Sequence, residues 1–196
     1  MKDPEELKDI RIIAVSGKIG AGSTTLAKHI ARELSWRHIE GGEIFWEAVR
    51  RKHGLSSKDT DLRPDEEDAL FDEQLKKILK EERHIVLETK LAGFNAQSIP
   101  GVFKILVVCE DREGVDQVGV RIDRLVNRER IGVDEAKAEV IEREINDLAK
   151  WRKMYADNDP NWVYFNPEYY DLVINTFSHN QDESFRIVME KINSLR

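Results

Sequence analysis

The chain has 196 residues, 40% of them hydrophobic and 35% charged, which suits one packed domain and excludes a disordered chain. Lys and Arg number 31 against 38 Asp and Glu, and a net charge of −7 argues against a partner made of nucleic-acid backbone. No apolar run reaches the length of a membrane span, no signal peptide is evident, and the single cysteine, Cys109, rules out an internal disulfide framework or a thiolate zinc cage. The expectation is a cytoplasmic, monomeric protein that binds neither a membrane nor a nucleic-acid polymer.

In chain order, the first element is the apolar run Ile12-Ile13-Ala14-Val15, followed by a glycine-rich stretch and a helix marked by Leu26, Ile30 and Leu34. A weaker strand is expected from Trp36 to Ile39. Residues 42–81 read as two helices, the second carrying Phe71, Leu75 and Leu79, and residues 59–73 hold eight acids against the single base Arg63. The runs Ile85-Val86-Leu87 and Ile105-Leu106-Val107-Val108 follow, then a helical stretch from 114 to 160. Between Arg121 and Lys153 that stretch has nine Lys/Arg and eight Asp/Glu, a near-balance within an acidic chain. Leu172-Val173-Ile174 and a helix with Phe185, Val188, Met189, Ile192 and Leu195 on one face complete the chain.

None of the four apolar runs alternates with polar residues, so each predicts a strand buried on both faces of a parallel sheet. Strands alternating with helices give a doubly wound α/β core of residues 10–41, 82–113 and 161–196. Residues 42–81 and 114–160 are then inserts at the carboxyl ends of the strands, where open α/β sheets bind ligands.

The strongest local signal is Gly17-Lys18-Ile19-Gly20-Ala21-Gly22-Ser23-Thr24-Thr25, between strand and helix. Glycines let such a loop curl until its backbone N–H groups converge on a phosphate, aided by the helix N-terminus. Thr24 falls where a phosphate loop offers a hydroxyl to Mg²⁺, but the lysine of G-x-x-x-x-G-K-[ST] is replaced by Ser23. A serine hydroxyl cannot supply the charge that follows a transferring phosphoryl group. Lys18 either reaches back to the phosphates or is a solvated surface lysine.

Several segments together resemble the nucleoside monophosphate kinases, and among them the short archaeal-type cytidylate kinases. Ala14 to Glu33 is similar to the phosphate loop and first helix, and Gly41-Gly42-Glu43-Ile44-Phe45 to the segment S-x-G-[DE]-[IL]-F-R that opens the monophosphate-binding insert. Leu87-Glu88-Thr89-Lys90-Leu91-Ala92-Gly93-Phe94 resembles L-E-G-R-L-A-G-W, and Tyr170-Asp171-Leu172-Val173-Ile174-Asn175-Thr176 matches Y-D-L-V-I-N-T. Arg121, Arg124, Arg128-Glu129 and Arg143-Glu144 resemble an arginine-rich lid. The resemblance implies a P-loop NTPase fold: a parallel five-stranded sheet flanked by helices, a monophosphate-binding insert at 42–81 and a helical lid at 114–160.

It also implies a reaction, ATP + (d)CMP to ADP + (d)CDP, with Mg²⁺. The loop from Gly17 to Thr25 would hold ATP, Thr24 and Glu88 the metal, and Gly42, Glu43, Arg50, Lys90 and Gly93 the monophosphate. Lys18, Arg124, Arg128 and Arg143 would be catalytic. The departures remove charge: the family arginine after Phe45 is Trp46, that of L-E-G-R is Lys90, and one late in the lid is Lys150. Arg50, one turn after Trp46, is the candidate substitute, and Lys90 keeps a charge without the bidentate fork.

Other readings stay open. The lid helices are also what two salt-bridged, solvated amphipathic helices would look like. Glu88 either holds Mg²⁺ through water or caps local backbone, and Asp68 and Asp72 either read a base or face solvent. Trp46, Trp151 and Trp162 stack on a base or pack a core, and Cys109 reads as a small core residue. The rival functions are a non-catalytic nucleotide-binding protein that keeps the fold, and a kinase for another monophosphate or small acceptor. Under either kinase reading, Mg·ATP at a hundred times its dissociation constant should add about 2.7 kcal/mol of stability. An unchanged melting temperature at millimolar Mg·ATP would count against any nucleotide role.

Overall fold

A computed structural model describes residues 3–56, 59 and 62–195. Asp61, one of the acids of the 59–73 stretch, lies outside the described residues. Five strands form one sheet: β1 (Ile12–Gly17), β2 (Arg37–Glu40), β3 (Ile85–Glu88), β4 (Val102–Val108) and β5 (Leu172–Asn175). All pairings are parallel, in the order β2-β3-β1-β4-β5. β1 is central, and every residue in it is buried.

The apolar runs fail to alternate because both faces are covered. Ile13 and Val15 face a core completed by α1 (Ser23–Leu34) and α8 (Gln181–Ser194), with Leu26, Ile30, Leu34, Val188 and Ile192. Ile12 and Ala14 face the other side, where Leu75 and Leu79 of α3 (Asp65–Glu81) and Ala92 of the short α4 (Ala92–Asn95) pack. The expectation of two buried faces fails at β5. Ile174 joins the α1/α8 core, but Val173 is 41% exposed, because the opposite core takes no residue from this edge strand.

The two inserts are organised differently. α2 (Gly41–His53) and α3 pack through Phe45, Trp46, Val49 and Phe71, so the first insert has a small core of its own. The second runs through α5 (Val118–Glu129), α6 (Val133–Lys137), a π-helical turn at Ala138–Glu142, and α7 (Arg143–Tyr155). Ile122, Leu125, Ala136 and Val140 bind its first half together and reach Ile19 of the phosphate loop. α7 instead joins an aromatic cluster of Leu91, Trp151 and Tyr164, with Phe94, Tyr155 and Trp162 around it. The lid read from sequence as one mobile hairpin is thus fastened at two places, the phosphate loop and the α4 region. Among the described residues no helix is long and apolar enough to cross a membrane.

α8 closes the α1/α8 core and starts with a reciprocal cap. The Glu183 backbone N–H donates to Asn180 Oδ1 at 3.0 Å, and the Asn180 N–H donates to Glu183 Oε2 at 2.9 Å. Asn180→Ala should lower stability by about 1 kcal/mol, read as a shifted urea midpoint with an unchanged slope.

Candidate active site

The phosphate loop has the shape its glycines predict. Gly20 (φ 77°) and Gly22 (φ 103°) occupy the left-handed region, and a Cβ on Gly20 would lie 2.4 Å from the Arg121 carbonyl oxygen. Only a residue without a side chain fits against that carbonyl. Gly22 precedes α1 and offers no side-chain cap, so the first N–H groups of the helix face the loop's concavity without a side-chain partner.

The loop is braced from behind. Arg121 donates to the Ile19 carbonyl at 2.7 Å and pairs with Asp116 at 2.8 Å. Thr176, at the end of β5, donates to the Ala21 carbonyl at 2.6 Å and accepts from Arg124 at 2.8 Å. Arg124 also donates to the Thr176 carbonyl at 2.9 Å. Arg121 and Arg124, two of the lid arginines, therefore join the base of the lid to the loop. Sequence reading missed Asp116 and Thr176, because each acts on residues far away in the chain.

Ser23, in the lysine position, donates to Glu88 Oε1 at 2.9 Å, and Thr24 Oγ1 donates to Glu88 Oε2 at 3.3 Å. Burial raises the Glu88 pKa to about 6, against the opposing hydrogen bond from Ser23. Two hard oxygens, a hydroxyl and a carboxylate, thus meet at the head of α1. That donor set fits Mg²⁺, which takes one or two carboxylates and completes its shell with water and substrate phosphate. Lys18 borders the same cleft, but its ammonium is 3.0 Å from Asp116 and 4.0 Å from the centre of the Phe165 ring.

A cleft of about 610 Å³ collects most of the residues singled out from sequence. Gly17, Lys18, Ile19, Gly20, Gly22, Ser23, Thr24 and Glu88 line one end, and Gly42, Glu43, Arg50, Lys90, Arg128 and Arg143 line the rest. A second cleft of about 780 Å³ lies across the loop, lined by Thr25, Arg124, Asn127, Arg128 and the turn from Thr176 to Gln181. Ala21 is buried and contributes its carbonyl to the brace. Gly93 lines neither cleft: its N–H donates to Ser16 Oγ, and a Cβ there would lie 2.1 Å from the Tyr170 ring. It is a close-packing glycine, placed away from where the monophosphate residues gather.

Beside the larger cleft, a small pocket of about 70 Å³ is walled by Trp46, Arg63, Lys90, Arg143, Asp147 and Trp151 among others. Trp46 is buried, with guanidinium carbons of Arg63 and Arg143 4.9 Å and 5.3 Å from its ring centre. Arg50, one turn on, is exposed. Asp68 and Asp72 do not face solvent. Asp68 holds the buried Arg63 through two bonds of 2.8 Å, and Asp72 accepts from Asn95 at 2.8 Å and from the Tyr155 hydroxyl. Burial raises the Asp72 carboxyl despite those two bonds. Arg63 was not foreseen, although it is the only base in the acidic 59–73 stretch.

A family model described as an AAA domain matches residues 16–158 of the chain. A curated cytidylate kinase from Pyrococcus horikoshii is 31% identical over 96% of this chain and 91% of its own length. The chain belongs to the nucleoside monophosphate kinase family. A second cytidylate kinase, from Methanosarcina barkeri, is 28% identical over 93% of this chain and 97% of its own. A solved structure of shikimate kinase from Acinetobacter baumannii superposes with a TM-score of 0.54 at 16% identity, over 95% of each chain. That likeness confirms the P-loop kinase fold alone. Membership of the kinase family supports a phosphotransferase acting with ATP and a divalent metal.

The Glu88 environment has a stability consequence. An acid whose pKa is higher folded than unfolded stabilises the fold below its unfolded value, and that contribution is lost as pH rises through the folded value. For Glu88 the window runs from 4.5 to about 6. Glu88→Gln should therefore gain roughly 2 kcal/mol over wild type at pH 7 and nothing near pH 4. Parallel melts at the two pH values check this, and equal differences at both would refute it.

Proposed function

We propose that the protein transfers the γ-phosphoryl group of ATP to a nucleoside monophosphate, CMP or dCMP foremost. The observation that carries this reading is the continuity of the larger cleft. The phosphate loop, Thr24 and Glu88 stand at one end of it, and Arg50, Lys90, Arg128 and Arg143 stand along the remainder. A donor triphosphate and an acceptor phosphate repel each other, and in-line transfer needs both held and neutralised in one space.

In this reading the backbone N–H groups of Gly20, Gly22 and Ser23 cradle the donor phosphates, with the adenosine side in the 780 Å³ cleft next to Arg124. Mg²⁺ when bound, held by Thr24 and Glu88, neutralises charge between the donor phosphates. Arg128 and Arg143 reach the cleft from α5 and α7 and can stabilise charge that develops in transfer. Lys18 is the available substitute for the missing lysine, but it must first leave Asp116. Arg50 and Lys90 receive the acceptor's phosphate. The relatives named cytidylate kinase support cytosine as the base.

A second reading, a nucleotide-binding protein without turnover, is favoured by one feature. Lys18, Lys90 and Arg143 each already have a carboxylate partner, at 3.0 Å, 2.8 Å and 2.7 Å. ADP release assayed across the nucleoside monophosphates separates the two. The kinase reading expects turnover highest with CMP or dCMP. Arg50→Ala and Lys90→Ala should each raise the monophosphate KM about tenfold or more, the loss of one charged hydrogen bond, and leave ATP affinity intact. Ser23→Lys should raise kcat if Lys18 substitutes poorly. No turnover of any monophosphate by wild type or Ser23→Lys would leave the binding-protein reading.

A further inference from the structure

Asp147 lies one turn along α7 from Arg143 and is 2% exposed. Three cations from three separate segments surround its carboxylate. Lys90, in the loop after β3, stands 2.8 Å from Oδ2; Arg63, ahead of α3, stands 3.3 Å from Oδ1; Arg143 Nε stands 3.7 Å from Oδ2. Burial would raise this carboxyl, but Lys90, Arg143 and Arg63 together hold it below the usual carboxylate range. One buried carboxylate needs one good partner. Three converging cations are what a group with more oxygens and more charge would use.

Two further observations bear on who that group is. Arg63 lies against the ring of Trp46, the residue that replaces the arginine of the resembling motif, so a guanidinium has returned to that neighbourhood from another segment. Arg143 Nε is buried and makes no hydrogen bond, a donor turned inward without an acceptor. The enclosed space between these groups, about 70 Å³, has room for about two waters at ~30 Å³ each and not for a nucleoside monophosphate. An acceptor can bind here only if something withdraws. α7 carries Asp147 and Glu144, the two carboxylates that occupy Lys90, at 2.8 Å and 3.0 Å. Arg63 and Lys90 belong to the other side and stay behind.

We propose that Arg63, Lys90 and Arg143 form the binding site for the acceptor's phosphate monoester, and that Asp147 is an internal carboxylate occupant which that phosphate displaces. The inference deepens the kinase reading above and rests on it for the identity of the acceptor. Arg63 is here a specificity-determining residue, because it selects a phosphate-bearing acceptor. Asp147 sets affinity: apparent binding is reduced by the fraction of molecules in which the site is free of it.

Calorimetric binding of CMP and of inorganic phosphate, without ATP, to the full chain decides the matter. Asp147→Asn should bind both about fivefold tighter or more than wild type. Arg63→Gln should bind CMP about tenfold weaker or more. Mg·ATP dissociation constants should stay within about twofold in both variants. A carboxylate with a merely structural role would give the reverse for Asp147→Asn, so unchanged or weaker CMP and phosphate binding by that variant overturns the proposal. Unchanged CMP binding by Arg63→Gln does so too.

Removing Asp147 leaves buried cations unpaired and is a severe test of folding. If Asp147→Asn does not fold in chloride, refolding in phosphate at equal ionic strength replaces the titration. A fold recovered in phosphate but not in the Asp147→Asn/Lys90→Ala double variant supports the site. No recovery, or equal recovery in both, overturns it. Because these readouts need no turnover, tight phosphate binding by Asp147→Asn in a chain that phosphorylates nothing would uphold the site and sink the kinase reading. Turnover of CMP with unchanged binding would do the opposite.

Discussion

The parallel register of β1 with β3 is the constraint on which the site depends. Val15 stands opposite Glu88, so the last residue of β3 lies beside the phosphate loop that leaves β1. The next turn of chain, the start of α1, then brings Ser23 and Thr24 onto the Glu88 carboxylate. Shifting β3 by one residue would move Glu88 to the other face of the sheet and separate it from both hydroxyls. β2 extends the same logic: Glu40 stands opposite Glu88, and α2 begins at once, carrying Gly42, Trp46 and Arg50 towards the cleft. One register thus positions the metal-side oxygens and the entrance to the acceptor insert together.

Around that fixed edge the electrostatics are largely self-contained. Lys18, Arg63, Lys90, Arg121 and Arg143 each face carboxylates within ion-pair distance, several of them deeply buried. Buried pairs return little net stability once desolvation is counted, and their loss on one side only is costly. Their value here is positional. They hold cations in a dry cleft before any anion arrives, so the groups that must face phosphate need not be recruited from water. The cost is that an incoming phosphate competes with carboxylates already in place.

The sheet and the loop were legible because their signals are local. Uninterrupted β-branched runs encode strands covered on both faces, and the spacing of Gly17, Gly20 and Gly22 encodes a backbone turn. Val173 escaped this reading, since composition does not reveal that β5 is an edge. The cation network was not legible for a different reason. Arg63 meets Asp147 across 84 positions, and Lys90 meets it across 57. Nothing near either residue in the chain marks the pairing. A helical row of Arg143, Asp147 and Lys150 was visible, but periodicity gives a shared face without saying what that face meets. Gly93 shows the converse error, a motif position whose glycine serves packing against Tyr170.

The replacement of the loop lysine is easier to understand in this light. In a loop with a lysine, a single mobile ammonium would sit beside Glu88 and move with the phosphoryl group. Here the Ser23 hydroxyl fills that place, and the hydrogen bond leaves Glu88 ordered but without a compensating cation, which is why burial dominates its titration. The positive charge has been redistributed to groups that enter from the sides: Lys18 from the loop itself, Arg128 from α5, Arg143 from α7. Such groups act only when the lid and the loop adopt one arrangement. That ties catalysis to the packing of Ile19 against the α5–α6 cluster and of Trp151 against Tyr164. A charge carried by the loop alone would be present whether the lid is open or closed. A charge assembled from three elements is present only in the closed cleft, where water is excluded and hydrolysis of the donor is suppressed.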